Sequence, residues 1–267
     1  MVAVSRKEYD PIALRLFEAC AARAAAEPPR RYLGMSRIGE PCDRRLWLGL
    51  RSGEEIGGHL ARKFDMGHAV EARVLRDFAA AGFEVTEGQR EFEDLGGMFR
   101  GHCDGVITLE DGERAILEIK SANDSSFKRF VSGGVAAKPE YEAQIHCYMG
   151  YAGLRLGVFV VENKNDQDLF VQRVPFDPGV YESSRARAAR ILEAESPPPK
   201  KTDDCFWCPY KTGACPNADS SCAACAYFLP ERSLPSPAPG ESLGHSICAL
   251  HAAKTSHGDA CGGFRGA

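Results

Sequence analysis

The chain has 267 residues, of which 44% are hydrophobic and 26% charged, with a formal net charge of -4. That length suits one large domain or a domain with an appendage, and the composition is that of an ordinary globular protein. The slight acidity excludes a uniformly basic nucleic-acid binder, so any groove for a polyanion must be local. No apolar run approaches a membrane-spanning helix, and the opening MVAVSRKEYD lacks the apolar core of a signal peptide; a cytoplasmic protein that does not enter a membrane is expected.

Residues 5–27 read as an alanine-rich helix ended by Pro28-Pro29. Residues 34–51 form a second helical stretch with Ser36 as its N-cap, and they carry Cys42 just before Asp43-Arg44-Arg45-Leu46-Trp47. Residues 60–82 give a clear amphipathic pattern, with Phe64, Val74, Leu75 and Phe78 as the apolar stripe and Gly82 as the stop. His68 lies at the edge of that stripe. It is a packed core residue unless the helix lies against a sheet face that carries carboxylates, in which case it is a metal ligand.

Residues 84–93 and 97–109 are expected as the first two strands and residues 114–120 as the third. Glu110-Asp111-Gly112 between the last two is a three-residue hairpin loop with glycine at the left-handed position. That loop sets residue 109 opposite 113 and Asp104 opposite Glu118, with Lys120 on the same face. A two-residue loop would instead send Asp104 and Glu118 to opposite faces. Two carboxylates and an ammonium on one face suit Mg²⁺ or Mn²⁺, the lysine orienting or deprotonating an attacking water; the plain alternative is a surface hairpin with solvated charges.

Residues 121–138 read as a polar loop carrying Lys128 and Arg129, and residues 139–154 as a helix that starts at Pro139. Gln144 and Tyr148, four apart, share one face of that helix, and Ile145 and Met149 lie on another. Residues 156–163 and 168–175 are two further strands, residues 180–195 an arginine-rich helix, and Pro197-Pro198-Pro199 a stiff exit from the main domain. The order gives an α/β fold with a central mixed sheet flanked by helices.

Of the eleven cysteines, seven fall in the last 67 residues, and this clustering favours metal ligands over disulfides. Cys205-x-x-Cys208 followed by Cys215 is a metal-binding spacing that lacks a fourth ligand, which Cys42 could supply, as could Cys222 or Cys225. In the tail, Cys222, Cys225, Cys248, His251 and Cys261 offer a second small site for zinc or an iron–sulfur group, since a segment this short builds little core without a staple. Cys20, Cys103 and Cys147 are expected to be structural or incidental.

Taken together, His68, Cys103-Asp104, Glu118-Ile119-Lys120 and Gln144-x-x-x-Tyr148 resemble the PD-(D/E)xK nuclease superfamily. The resemblance is to its RecB-type branch, which includes the nuclease domains of RecB and AddB, CRISPR-adaptation nucleases and phage exonucleases. The motif elements occur in the family's order across residues 36–216, with Cys103 standing where the name-giving motif has proline. The resemblance implies a restriction-endonuclease-like core at residues 34–216, preceded by an N-terminal helix at 1–33 and followed by a cysteine-rich tail at 217–267.

It further implies that Asp104 and Glu118 hold Mg²⁺ or Mn²⁺ together with the Ile119 carbonyl and His68. Lys120 would then position or activate the attacking water, and Gln144 and Tyr148 would orient DNA or the lysine. Cys42, Cys205, Cys208 and Cys215 would hold a [4Fe–4S] cluster, or Zn²⁺ in its place, that clamps the two ends of the domain. The implied activity is metal-dependent DNA hydrolysis, an exonuclease before an endonuclease of the same fold, in recombination, repair or phage DNA metabolism in a bacterial or phage-infected cell. The partners would be a single- or double-stranded DNA end and a helicase, a single-strand annealing protein or a CRISPR-adaptation protein. Arg44, Arg45, Lys128 and Arg129 are candidates for phosphate contacts. A non-catalytic DNA-binding scaffold is the reading from another class, and the intact Asp104, Glu118 and Lys120 set argues against it.

Overall fold

A five-stranded mixed sheet carries the centre of the computed structural model, which describes residues 9–28, 30–52, 56–199, 208–210 and 215, and the backbone of residues 228–229, 246–248 and 253–255. The first half of the chain runs α1 (Pro11–Ala25), β1 (Leu33–Gly34), α2 (Asp43–Ser52), α3 (Gly58–Ala80), β2 (Glu84–Thr86), β3 (Glu91–Asp94), β4 (Phe99–His102) and β5 (Gly105–Thr108). Then come β6 (Arg114–Ala122), α4 (Asp124–Gly133), α5 (Pro139–Ala152), β7 (Leu156–Asn163), β8 (Leu169–Pro175) and α6 (Pro178–Glu193). Three short strands follow in the tail: β9 (Phe228–Leu229), β10 (Ser246–Cys248) and β11 (Ala253–Thr255).

The main sheet has the order β2-β5-β6-β7-β8, with β6 and β7 parallel and every other pair antiparallel. A parallel pair needs a long crossover, and α4 and α5 provide it. One face packs on Val70 and Val74 of α3 through Ile107, Leu117, Ile119, Val158 and Val160. The other packs on Ile145, Tyr148 and Met149 of α5 through Val106, Ile116, Phe159 and Val161. The β7 strand is apolar on both faces because helices cover both. The mixed sheet with flanking helices is thus as the sequence predicts.

The decisive hairpin has the expected register. Gly105 pairs with Leu117 and Val106 with Ile116. The loop closes with the Leu109 N–H donating to Glu113 O and the Gly112 N–H donating to Leu109 O, and Gly112 takes φ of +83°. A residue with a Cβ would be strained there.

Several boundaries differ from expectation, each for a local reason. The first helix begins at Pro11, because the Asp10 side chain accepts the Ile12 N–H and caps it there. Ser36 caps nothing: residues 35–37 form a single 3-10 turn, and α2 starts only at Asp43, beyond Pro41. The strand expected at 84–93 is broken by Glu87 and Gln89, with φ of 52° and 55°. The strand expected at 97–109 breaks at Cys103-Asp104, where the chain leaves a second sheet of order β1-β4-β3 and joins the main one. Residues 124–133 are a helix and not a loop, capped by the Asn123 side chain and anchored by buried Phe127 and Phe130. Phe64 is not part of the buried stripe; it is 49% exposed, and Val70 and Val74 make the contact, with Leu75 and Phe78 packed beside them. Among the described residues no helix is long and apolar enough to cross a membrane.

Candidate active site

Asp104 sits at the bend where the chain passes from β4 to β5, so both sheets determine its place. One further step of the β5–β6 register sets it opposite Glu118. Its Oδ2 accepts the Ile119 N–H at 2.6 Å. Glu118 is fully buried, and its Oε1 is ion-paired with the Lys120 ammonium two residues along the same face. The sheet therefore assembles the predicted two carboxylates and one ammonium.

The electrostatics are those of a site short of positive charge. With all three groups ionised the set carries one net negative charge in a low-dielectric place. Burial pushes the Glu118 carboxyl up to about 8 against the pull of Lys120, and the neighbouring Asp104 adds to the rise. Burial also raises Asp104, although Lys120, the Ile119 N–H and His68 oppose it. Burial draws Lys120 down, but the Glu118 and Asp104 charges outweigh it and hold the ammonium above its usual range. Glu118 Oε2 is buried and accepts no hydrogen bond among the described residues. A buried carboxylate oxygen left in this state is costly unless a cation or a proton meets it.

A small divalent cation fits this donor set. Mg²⁺ requires only one or two carboxylates and keeps several waters. Asp104 and Glu118 would supply the carboxylates and Ile119, next to Glu118 on β6, a carbonyl, while Glu118 Oε2 has no hydrogen-bond partner among the described residues. Among the described residues no three His, Cys, Asp or Glu side chains are grouped so as to hold a metal ion by themselves.

On α5, the Gln144 amide donates to the Tyr148 hydroxyl at 3.0 Å, and both residues are buried. Neither lies on the outer surface, and burial, with the charges of Glu118 and Asp104 adding to it, raises the Tyr148 hydroxyl well above its usual value. Gln144 Oε1 is the other buried acceptor of this group with no partner among the described residues. The Tyr148 ring stacks on Phe92 with centroids 5.6 Å apart. It also needs Gly101 beneath it, since a Cβ there would lie 2.7 Å from the ring and 2.9 Å from Met35. Gly101→Ala is therefore expected to cost about 1–3 kcal/mol by overpacking. An unchanged thermal melting point would mean that Tyr148 has room to move.

On α3, His68 is exposed and acts on Asp104 through charge, with no hydrogen bond between them. Glu71 was not singled out from the sequence. Burial and then the charge of Asp104 raise its carboxyl, and its Oε1 accepts from Gln89 Nε2 at 2.6 Å. Its signal was its spacing: three residues after His68, it shares that helix face. Tyr141 on α5 was also missed; its ring lies 5.1 Å from the Lys120 ammonium.

The phosphate-contact candidates fare unevenly. Arg44 is buried and donates to the Pro198 carbonyl at 2.6 Å and to the Cys215 carbonyl, so its place is structural. Arg45 pairs with Glu40 at 3.2 Å, Lys128 with Asp124 at 2.8 Å, and Arg129 donates to Ser126 Oγ at 3.0 Å.

Of the proposed cluster ligands, Cys42 and Cys208 are partly buried and Cys215 is buried. Cys208 and Cys215 join the core on the α5 side of the sheet. Arg44, two residues after Cys42, ties α2 to residues 198 and 215, and the Trp47 indole donates to Ala194 O at 2.9 Å. The segment carrying Cys42 and the one carrying Cys215 are thus fastened together. Cys205, Cys222, Cys225, His251 and Cys261 lie outside the described residues. Cys248 is described by its backbone alone: it ends β10, opposite Ala253 on one side and Phe228 on the other.

No family model and no curated protein matches the sequence. Among solved structures the chain is similar to SSO0001, with a TM-score of 0.49 and 14% identity over 75% of this chain and 94% of that one. It is also similar to the alkaline exonuclease LHK-Exo from Laribacter hongkongensis, with a TM-score of 0.46 and 18% identity over 67% of this chain and 90% of that one. A third likeness is to a phage-related exonuclease from Haemophilus somnus 129PT, with a TM-score of 0.36 and 14% identity over 46% of this chain and 66% of that one. These likenesses are distant.

Proposed function

We propose that this chain is a metal-dependent nuclease of the PD-(D/E)xK type, with a restriction-endonuclease-like core, that hydrolyses phosphodiester bonds in DNA. The observation that carries the reading is the buried Glu118, with one oxygen unpartnered, beside Asp104 and Lys120 on one sheet face. Mg²⁺ or Mn²⁺ held by Asp104, Glu118 and the Ile119 carbonyl would polarise a phosphoryl oxygen and acidify a water. Lys120, kept charged by two carboxylates, is a poor proton acceptor. Its part is to donate hydrogen bonds to the attacking water or to the charge that develops on the phosphoryl group. Gln144 and Tyr148, buried and bonded to each other, would orient the lysine or the DNA, and His68 and Glu71 border the site from α3. Within this reading an exonuclease acting at a DNA end is favoured over an endonuclease by the RecB-type resemblance, which also supports a helicase, annealing or CRISPR-adaptation partner.

The test is degradation of linear DNA in Mg²⁺ or Mn²⁺ by wild type and Lys120→Ala. Loss of more than about 100-fold in rate is expected for the variant, the scale on which a single transition-state donor acts. Equal rates would remove the mechanism, and no cleavage by the wild type in either metal would favour the scaffold reading.

The cysteine clamp is the second part of the proposal. Cys42, Cys205, Cys208 and Cys215 would hold a [4Fe–4S] cluster, with Zn²⁺ as the alternative, and the tail cysteines with His251 a second metal site. Cys208→Ala is expected to lower the melting temperature by several degrees and to reduce bound iron or zinc, since closing a metal site supplies folding energy. Unchanged melting and metal content would sink this part and leave the nuclease reading intact.

A further inference from the structure

Lys138, at the head of α5, holds its ammonium 4.0 Å from the centroid of the Tyr141 ring. The Lys120 ammonium lies 5.1 Å from the same centroid, so the two nitrogens are at most 9.1 Å apart. The ring is a fixed plate: it is partly buried, stacked on Phe130 at 5.9 Å and tilted against Phe159 at 6.1 Å. Lys120 is compensated by Glu118, and Lys128 by Asp124. The Lys138 ammonium has no carboxylate partner among the described residues and sits over the Tyr141 ring.

We propose that Lys138, seated on Tyr141, binds the phosphate next to the one attacked, so that the site grips two consecutive phosphates of one strand. The inference rests on the nuclease reading and adds a substrate contact to it. A ring holds a cation in place without neutralising it, so the full charge stays available to a ligand. The need for such a charge is local, because each carboxylate of the site repels the polyanion whenever it is ionised. A reach of at most 9.1 Å from the Lys120 ammonium suits a neighbouring phosphate on the same strand.

The experiment is the salt dependence of binding of a fluorescent oligothymidylate, followed by anisotropy in EDTA so that nothing is cut. Wild type, Lys138→Gln, Lys138→Arg and Tyr141→Ala are compared, with Arg155→Ala as a control at the opposite end of β7 from the site. One single-strand phosphate contact contributes about 0.7 to the slope of log affinity against log salt. Lys138→Gln is expected to lose about that much slope and to bind several-fold more weakly at moderate salt. Tyr141→Ala should lose a similar amount, while Lys138→Arg and Arg155→Ala keep the wild-type slope. A single uncharged methylphosphonate linkage at one position should cost wild type the same factor and cost Lys138→Gln nothing more.

An unchanged slope in Lys138→Gln, or an equal fall in Arg155→Ala, overturns the proposal. If that happens in a protein that still cleaves DNA with Mn²⁺, the contact fails and the nuclease reading stands. A Lys138-dependent slope in a protein that does not cleave DNA with either Mg²⁺ or Mn²⁺ leaves the contact standing and removes the nuclease reading. Absence of any oligonucleotide binding by wild type removes both.

Discussion

Asp104→Asn is expected to lower metal-dependent DNA cleavage by about 1,000-fold or more while leaving the metal-free fold at least as stable as wild type. The two halves of that expectation have separate causes. The asparagine carbonyl can still accept the Ile119 N–H that Asp104 Oδ2 accepts at 2.6 Å, so the β5–β6 junction keeps its hydrogen bond. What disappears is a negative charge that raises the neighbouring Glu118 carboxyl, so the buried site becomes less strained in the absence of metal. A divalent cation, by contrast, loses one of its two carboxylates, and a transition-state electrostatic contribution of this kind is worth several kcal/mol. The measurement pairs single-turnover cleavage in Mn²⁺ with thermal melting in EDTA. A fall in melting temperature that matched the fall in activity would mean that Asp104 holds the fold and does not serve the chemistry.

The site's sheet face was legible in the sequence because a single turn determines it. Gly112 at the end of a three-residue loop sets the pairing, and from the pairing alone Asp104, Glu118 and Lys120 fall on one face. The long helices α3, α5 and α6 and the strands β7 and β8 were equally readable, each being a periodic run closed by glycine, proline or a capping side chain. Other features carried little local signal. Glu87 and Gln89 adopt left-handed backbone although neither residue type favours it, so nothing marked the break that splits the strands between two sheets. The exposure of Phe64 depends on how α3 is rotated against the sheet, which periodicity does not determine.

Arg44 illustrates a different limit. It lies in an exposed-looking run of charge, yet it is buried because its carbonyl acceptor at residue 198 lies 154 positions away in the chain. No local pattern announces such a partner. The helix α4 does carry a local signature, Asn123 as a cap followed by Phe127 and Phe130, but serines and glycines around it obscure the signal. Glu71 and Tyr141 were within reach by the same reasoning: each lies three residues from a residue already chosen, His68 or Gln144, on the same helix face.

The stability of the metal-free protein should fall as pH rises from about 4.5 to about 8, the window set by Glu118 in its unfolded and folded states. The folded chain keeps a proton on this buried carboxyl that the unfolded chain releases, so raising the pH favours unfolding. At about 1.4 kcal/mol for each pKa unit, the loss is on the order of a few kcal/mol. Asp104 and Glu71, also raised chiefly by burial, add in the same direction. Asp43 and Asp94 run the other way: they are buried enough to resist ionisation, yet bonds to Arg187, Arg190 and Arg185 hold both below their usual value. Their stabilisation is present above the unfolded carboxylate range and is lost only in acid, below the Glu118 window. Glu118→Gln should therefore flatten the curve between pH 4.5 and 8 while leaving acid unfolding in place. Mn²⁺ at pH 8 should restore wild type, because a cation replaces the proton at the same carboxylates, and should do little for the variant. Chemical unfolding at a series of pH values, with EDTA or Mn²⁺, reads all of this directly. A wild-type curve that is flat in EDTA would mean that Lys120 alone satisfies Glu118, and the strongest physical reason for placing a metal ion there would be gone.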